Sequence, residues 1–325
     1  MKHIIITGAK RSGATFFLNL LDSAPETFSF LRDGWFFEYL YDMDSENIKG
    51  FIDLQKQSGI EMLTEGMKKR GMLPFFEKGY SQGPGTVNKQ HISVHFDIKR
   101  LKSEFGKRQK DIDGTVCSVW ETWLRAYIAA RGCDARKIKN VLFKCGDYAK
   151  SAVTALKHLK DVKVIIVIRD PRYAIDSLKR SRELRKEKDL HLFELFNTVN
   201  DYRLFLKNIR KAQGINSGAV LVIKYEDIVR EPARLMREVS YFLEIPFNEI
   251  MLRPTVNGKP WYGLSSFKKL NGISRFPKRR NIMALSRAEI EYINKKVSNF
   301  LRHFNYIPSK QRVLCYEDFR VSCLG

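Results

Sequence analysis

The run Val162-Lys163-Val164-Ile165-Ile166-Val167-Ile168 constrains this chain more than any other stretch. All but one of its residues are β-branched, and polar and apolar positions do not alternate. A strand with one wet face alternates, so an unbroken run reads as a parallel strand covered on both faces. Asp170-Pro171 then supplies an N-cap and a proline at the first helical position, which predicts a helix to about Arg185. Further strands are expected over 4–7, Phe28–Leu31, Lys139–Phe143 and Ala219–Ile223. Helical patterns cover Thr15–Leu21, Phe36–Tyr41, Ser45–Gln57, Val116–Ala130, Lys150–Leu159, Leu190–Ala212, Arg234–Leu243 and Arg287–Phe304. This alternation predicts an α/β fold, a three-layer parallel sheet flanked by helices.

With 325 residues, no internal repeat and no low-complexity linker, the chain reads as a single domain over 1–325, with a C-terminal tail from 308. Glycines, lysines and the segment Gly79-Tyr80-Ser81-Gln82-Gly83-Pro84-Gly85 set 59–113 apart. That stretch reads as loops around short elements, an insertion placed to shape an acceptor site.

Lysine and arginine number 58 against 36 acidic residues, a net charge of +22. Such a surface attracts phosphates, sulfates, anionic glycans, nucleic acid or acidic lipid, and a merely solvated basic surface fits equally well. No zinc-finger spacing or RNA-binding aromatic signature accompanies the charge, so nucleic acid is a minor alternative. No apolar run approaches the roughly 20 residues that span a bilayer, while peripheral membrane contact through the basic surface stays open. Met1-Lys2-His3 leads into Ile4-Ile5-Ile6 as a strand does, not as a signal peptide, and the expected location is cytoplasmic. Cys117, Cys133, Cys145, Cys315 and Cys323 are scattered without a C-x-x-C pair and read as reduced thiols, a late Cys315–Cys323 bridge being the one alternative.

The segment Gly8-Ala9-Lys10-Arg11-Ser12-Gly13-Ala14-Thr15 lies between the first strand and the first helix. Glycines there let backbone N–H groups turn inward, and the helix N-terminus favours an anion. The Gly8-to-Gly13 spacing matches the Walker A frame, yet Ala14 stands where that motif needs lysine. The positive charge has moved into the loop, to Lys10 and Arg11, and no aspartate evidently ends a strand to hold magnesium. This suits a ligand with a 5′-phosphate and one further anionic group.

A second anion site follows the β-branched run. Arg169 stands at its C-terminal end, where open α/β sheets bind ligands. Ser177 falls about two turns into the next helix and can offer a hydroxyl to the same anion. The plain alternative is a local Arg169–Asp170 ion pair with Ser177 on the surface.

Together, in this order, the two segments resemble the sulfotransferases that use 3′-phosphoadenosine 5′-phosphosulfate (PAPS). Lys10-Arg11-Ser12-Gly13-Ala14-Thr15 is similar to their 5′-phosphosulfate loop, commonly P-[KR]-S-G-T-T, and Ile168-Arg169-Asp170-Pro171-Arg172 through Ser177 to their 3′-phosphate site. Tyr225-Glu226-Asp227-Ile228 with Glu231-Pro232, Tyr241-Phe242-Leu243 with Ile245-Pro246, and Phe304-Asn305-Tyr306 resemble further family segments. Lys10 replaces the common proline, and Ala14 replaces the first of two threonines. The resemblance spans 4–306, is closer to carbohydrate and protein sulfotransferases than to the cytosolic small-molecule type, and is weakest over 59–113.

The resemblance implies a P-loop nucleotide-binding fold and in-line sulfuryl transfer from PAPS without a metal. Gly8, Lys10, Arg11, Ser12, Gly13, Ala14 and Thr15 would hold the 5′ side of the donor, and Arg169 and Ser177 the 3′-phosphate. Lys278, Arg279 and Arg280 match a late basic loop that closes over that phosphate, or else form a solvated turn. Arg11 occupies the family's catalytic cation position. Lys144 matches a lysine near the active site, a structural ion pair being the alternative. Where small-molecule members place a histidine base, this chain has Gly146. Asp33, three residues before Phe36-Phe37, stands at the spacing where glycan and protein sulfotransferases typically carry a glutamate base, one methylene shorter, or caps the following helix. Glu38, His91 and His95 are further candidates. The implied acceptor is a hydroxyl or amine, most simply of a glycan or glycolipid. A P-loop kinase of a small metabolite and a non-catalytic binder of nucleotide or anionic glycan are the alternatives.

Overall fold

The computed structural model describes residues 1–33, 36–69, 80–81, 91–92, 96–184, 192–261, 282 and 284–307. Its strands are β1 Lys2–Gly8, β2 Thr27–Asp33, β3 Tyr80–Ser81, β4 His91–Ile92, β5 Asn140–Cys145, β6 Val162–Ile168, β7 Val220–Lys224, β8 Thr255–Val256 and β9 Lys259–Pro260. The first helices are α1 Ala14–Leu21, α2 Phe36–Leu40, α3 Ser45–Lys69, α4 Ile98–Gln109, α5 Val116–Ala130 and α6 Lys150–His158. They are followed by α7 Pro171–Leu184, α8 Leu192–Ile215, α9 Tyr225–Arg230, α10 Pro232–Leu243, α11 Arg287–Lys296 and α12 Ser298–His303.

Five strands form a parallel sheet in the order β2-β5-β1-β6-β7. The β-branched strands explain its covering on both faces. Along β6, Val164, Ile166 and Ile168 pack with the helices of one face, and Ile165 and Val167 with those of the other. β1 divides in the same way, Ile5 to the first face and Ile4 and Ile6 to the second. On the first face Phe30 of β2 stacks on Tyr127 of α5, ring centroids 4.4 Å apart. Over the second lie Leu18 and Leu20 of α1 with Val239 and Leu243 of α10.

The chain leaves β1 toward β2 and later returns to the other side of β1 for β6 and β7. The strand order therefore reverses at β1, and the loops after β1 and β6 meet at the C-terminal edge of the sheet, where ligands of open α/β sheets bind. Gly8 at the end of β1 stands in register with Val167 near the end of β6.

The structure departs from the sequence expectations at several places. Residues 59–113 hold more helix than their composition suggests: α3 continues past Gln57 to Lys69 through a kink at Ser58 (φ −140°, ψ 24°). α4 opens at Asp97, whose side chain accepts from the Arg100 N–H. Leu101 and Phe105 of α4 are fully buried, and that burial outweighs the lysines around them. α9 was not expected, being too short for periodicity to show. The expected helix over Arg287–Phe304 is two helices divided at Val297. Asp33 is the last residue of β2, two positions short of the place from which a side chain would cap α2.

Candidate functional site

The loop after β1 is shaped by its two glycines. A Cβ on Gly8 would come within 2.4 Å of Ser12 Oγ and 2.6 Å of the Val167 carbonyl, so only glycine lets the loop fold this tightly against β6. Gly13 has φ +98° and would put a Cβ 2.3 Å from Cδ2 of the Tyr225 ring. Arg11 between them is also left-handed, at φ 64°. The Ser12 N–H closes a turn onto the Ala9 carbonyl at 3.1 Å. Ser12 is fully buried and its hydroxyl meets no hydrogen-bond partner among the described residues. A buried hydroxyl left open beside a helix N-terminus fits an anionic ligand. Ala14 is buried in the first turn of α1, Thr15 is half-buried beside it, and the Lys10 side chain is exposed.

The second anion segment joins this loop directly. Arg11 Nε donates to Ser177 Oγ at 3.3 Å, and Arg169 Nη1 donates to the Arg11 carbonyl at 3.1 Å. The Arg169 guanidinium lies 4.6 Å over the Tyr225 ring, which also borders Gly13. Arg169 is therefore not the local partner of Asp170. Asp170 accepts the Arg172 N–H at 3.0 Å as the cap of α7, and takes Arg172 Nε and Nη2 at 2.9 and 2.6 Å. Nor is Ser177 a surface residue, since it is 7% exposed.

Residues far along the chain brace this arrangement. Glu226 accepts the Asp170 N–H at 3.2 Å and the Tyr306 hydroxyl at 3.1 Å, while Arg172 Nη2 donates to the Tyr306 carbonyl at 3.4 Å. Burial pushes the Glu226 carboxyl above its ordinary range. Asp176, the neighbour of Ser177, accepts the Ala284 N–H at 2.7 Å. Lys278, Arg279 and Arg280 lie outside the described residues. Tyr225 is the site residue that sequence reasoning passed over. Its family segment was visible, but its place between Gly13 and Arg169 belongs to the fold.

Across the sheet, Asp33 of β2 stands in register with Lys144 of β5, and Lys144 with Ile6 of β1. An aspartate does end a strand, therefore, although β5 separates β2 from the strand of the loop. Glu38 is exposed on α2, His91 lies in β4, and His95 falls outside the described residues. Among the described residues no group of three or more His, Cys, Asp or Glu is placed to hold a metal ion, and no helix is long and apolar enough to cross a membrane.

A glycine-shaped loop at a helix N-terminus is bonded to a second basic segment at the switch point of a parallel α/β sheet. The chain belongs to the sulfotransferase family, whose sequence profile matches residues 3–249. In fold it is similar to the sulfotransferase domain from the Synechococcus PCC 7002 olefin synthase, at 14% identity over 96% of this chain and 90% of that one, with a TM-score of 0.47. The sulfotransferase from Alicyclobacillus acidocaldarius aligns at 13% identity over 96% and 97%, with a TM-score of 0.48. Sulfotransferase STF9 from Mycobacterium avium aligns at 15% over 94% and 76%, with a TM-score of 0.47. Membership in the family rests on the sequence profile. A comparison with curated proteins finds no match in sequence.

Proposed function

We propose that this protein transfers a sulfuryl group from PAPS to an acceptor hydroxyl or amine, with a glycan or glycolipid as the acceptor class. The observation that carries the reading is the Arg11–Ser177 hydrogen bond, which makes one site of the two anion segments. A donor with anionic groups at both its 5′ and 3′ ends needs such a joined site, whereas a lone phosphate loop serves any nucleotide. PAPS supplies an activated sulfuryl group on a 5′-phosphate that departs as an anion. The loop from Gly8 to Thr15 receives the 5′ side, through inward N–H groups and the Ser12 hydroxyl. Ser177 accepts from Arg11 and still has its own proton to donate toward a 3′-phosphate, beside Arg169. Lys278, Arg279 and Arg280 complete that side in this reading.

Arg11 stabilises the negative charge that grows at the departing oxygen. As a guanidinium it stays charged at any working pH and acts through electrostatics alone. Lys144 adds a second cation in the row that also holds Asp33. Asp33 takes the acceptor proton, a role that requires only a carboxylate at the rim of the sheet within reach of the acceptor. The acceptor class follows from this carboxylate and from the basic surface, which suits an anionic or polar chain better than a flat apolar ring. Cysteines scattered without a C-x-x-C pair support a cytoplasmic setting in this reading.

Calorimetric titration with 3′-phosphoadenosine 5′-phosphate, against 5′-AMP and Mg-ATP, tests the reading. The expected result is binding that depends on the 3′-phosphate. Preference for Mg-ATP would make the protein a kinase, and absence of any nucleotide binding would reduce the site to a general anion binder.

A further inference from the structure

After β5 the chain turns through Gly146-Asp147-Tyr148-Ala149 into α6. Tyr148 (φ 54°) and Ala149 (φ 66°) both lie in the left-handed region, which a side chain with a Cβ disfavours. Two such residues in succession persist only where the surroundings over-determine the backbone. Here they do. The buried Asp147 carboxylate takes Thr7 Oγ1 at 3.0 Å and the Ser151 N–H at 2.7 Å, and also accepts the Ser151 hydroxyl. The Ala149 N–H donates to Thr7 Oγ1 at 3.2 Å, and Asn208 Nδ2 donates to the Tyr148 carbonyl at 3.0 Å. The Tyr148 ring meets Tyr202 and Phe205 edge-on, with centroids 6.2 and 5.9 Å apart.

The turn is fixed on every side except at the phenol oxygen. Tyr148 is 8% exposed, and its hydroxyl makes no hydrogen bond of standard geometry among the described residues. Polar groups near it include the backbone N–H of Lys10, inside the loop after β1, and the carboxylate of Asp201 on α8. Burial first, and the Asp201 charge after it, hold the phenol above its ordinary range, so it is a neutral O–H at physiological pH. A strained turn that presents an open hydroxyl to the backbone of an anion loop invites a role in that loop.

We propose that Tyr148 is a positioning residue for the donor loop: a small shift of the phenol lets its oxygen take the Lys10 N–H and its O–H donate to Asp201, which holds the left-handed bend at Arg11 from which that side chain reaches Ser177. The proposal rests on the reading of the loop as the 5′ side of the donor site. Lys10 carries an N–H where the resembling loops commonly carry proline, so this chain has a backbone donor to satisfy at that point.

The test is Tyr148→Phe in the full chain, which keeps the ring and removes only the hydroxyl. Affinity for 3′-phosphoadenosine 5′-phosphate should fall about five- to tenfold, as the loss of the loop's hydrogen bond at the Lys10 N–H allows, while affinity for adenosine 3′-phosphate stays unchanged. Amide hydrogen exchange across Gly8–Thr15 should quicken without ligand. Asp201→Ala reads the same contact from its other end and should move both quantities the same way, so the test survives a Phe variant that folds poorly. Equal losses for both nucleotides, or unchanged binding with unchanged exchange, would overturn the proposal. A wild-type chain that fails to bind 3′-phosphoadenosine 5′-phosphate would overturn the donor assignment instead, and the exchange measurement alone would then decide for or against Tyr148.

Discussion

At the scale of single residues, Gly13 carries the most structure per atom. Its left-handed backbone and the Tyr225 ring 2.3 Å from where a Cβ would sit leave room for hydrogen alone. Gly13→Ala should cost about 1–2 kcal/mol in backbone strain, before the displaced ring is counted. The melting temperature should drop by at least about 2 °C, at roughly 1.5 °C per kcal/mol for a chain of this size, and nucleotide affinity should drop by more than about tenfold. A melt and a titration unchanged from wild type would mean that the loop tolerates another conformation. Asp33 supports a different expectation, because in our reading it meets the acceptor and not the nucleotide. Asp33→Ala should abolish transfer while leaving nucleotide affinity within about twofold, and unchanged turnover would remove Asp33 from the role. The loop that holds Gly8, Arg11 and Gly13, and the place of Arg169 at the end of β6, were legible in the sequence, because strand–loop–helix signals are short and local. Tyr225 was not, because it reaches the loop through the register of β6 with β7.

At the scale of elements, α7 shows what local signals deliver and where they stop. Asp170 and Pro171 announced the start of the helix, and the structure uses both as expected. What the sequence concealed is that the same carboxylate also neutralises Arg172, in a pair whose side chains are 6% and 4% exposed. Asn294 and the Tyr306 carbonyl approach from the end of the chain and add to the guanidinium's partners. Asp170→Ala would leave a buried cation uncompensated, a change that typically costs about 3–5 kcal/mol, and would remove a helix cap worth about 1 kcal/mol. Urea unfolding should report a loss in that range, and Asp170→Asn, which keeps a cap acceptor, should lose less. A loss below about 1 kcal/mol for the alanine variant would show that Arg172 finds water or another partner. The opposite error occurred at α4, where lysine-rich composition suggested loop and a narrow apolar edge of Leu101 and Phe105 was enough for a helix.

At the scale of the whole molecule, the sheet was readable because strands buried on both faces carry a composition that little else requires. Strand order was not, since nothing local in β5 says that it inserts between β1 and β2. The net charge of +22 was equally plain in the sequence, but its purpose is decided only by where the charges act. If the field as a whole draws in an anionic donor, association should slow steeply with salt while dissociation changes little, because steering acts before contact. Screening lengths fall from about 30 Å at 0.01 M to about 3 Å at 1 M, so that range separates the distant field from the contacts within the site. Reversing Lys99 and Lys102, exposed on α4, should then lower the association rate slightly and leave the dissociation rate alone. Reversing Lys278 and Arg279 should raise the dissociation rate as well, because in our reading those two touch the 3′-phosphate. Stopped-flow kinetics with 3′-phosphoadenosine 5′-phosphate resolves the two rates. An association rate indifferent to salt would mean that the surface charge is spread too evenly to steer the donor, leaving acceptor capture as its use.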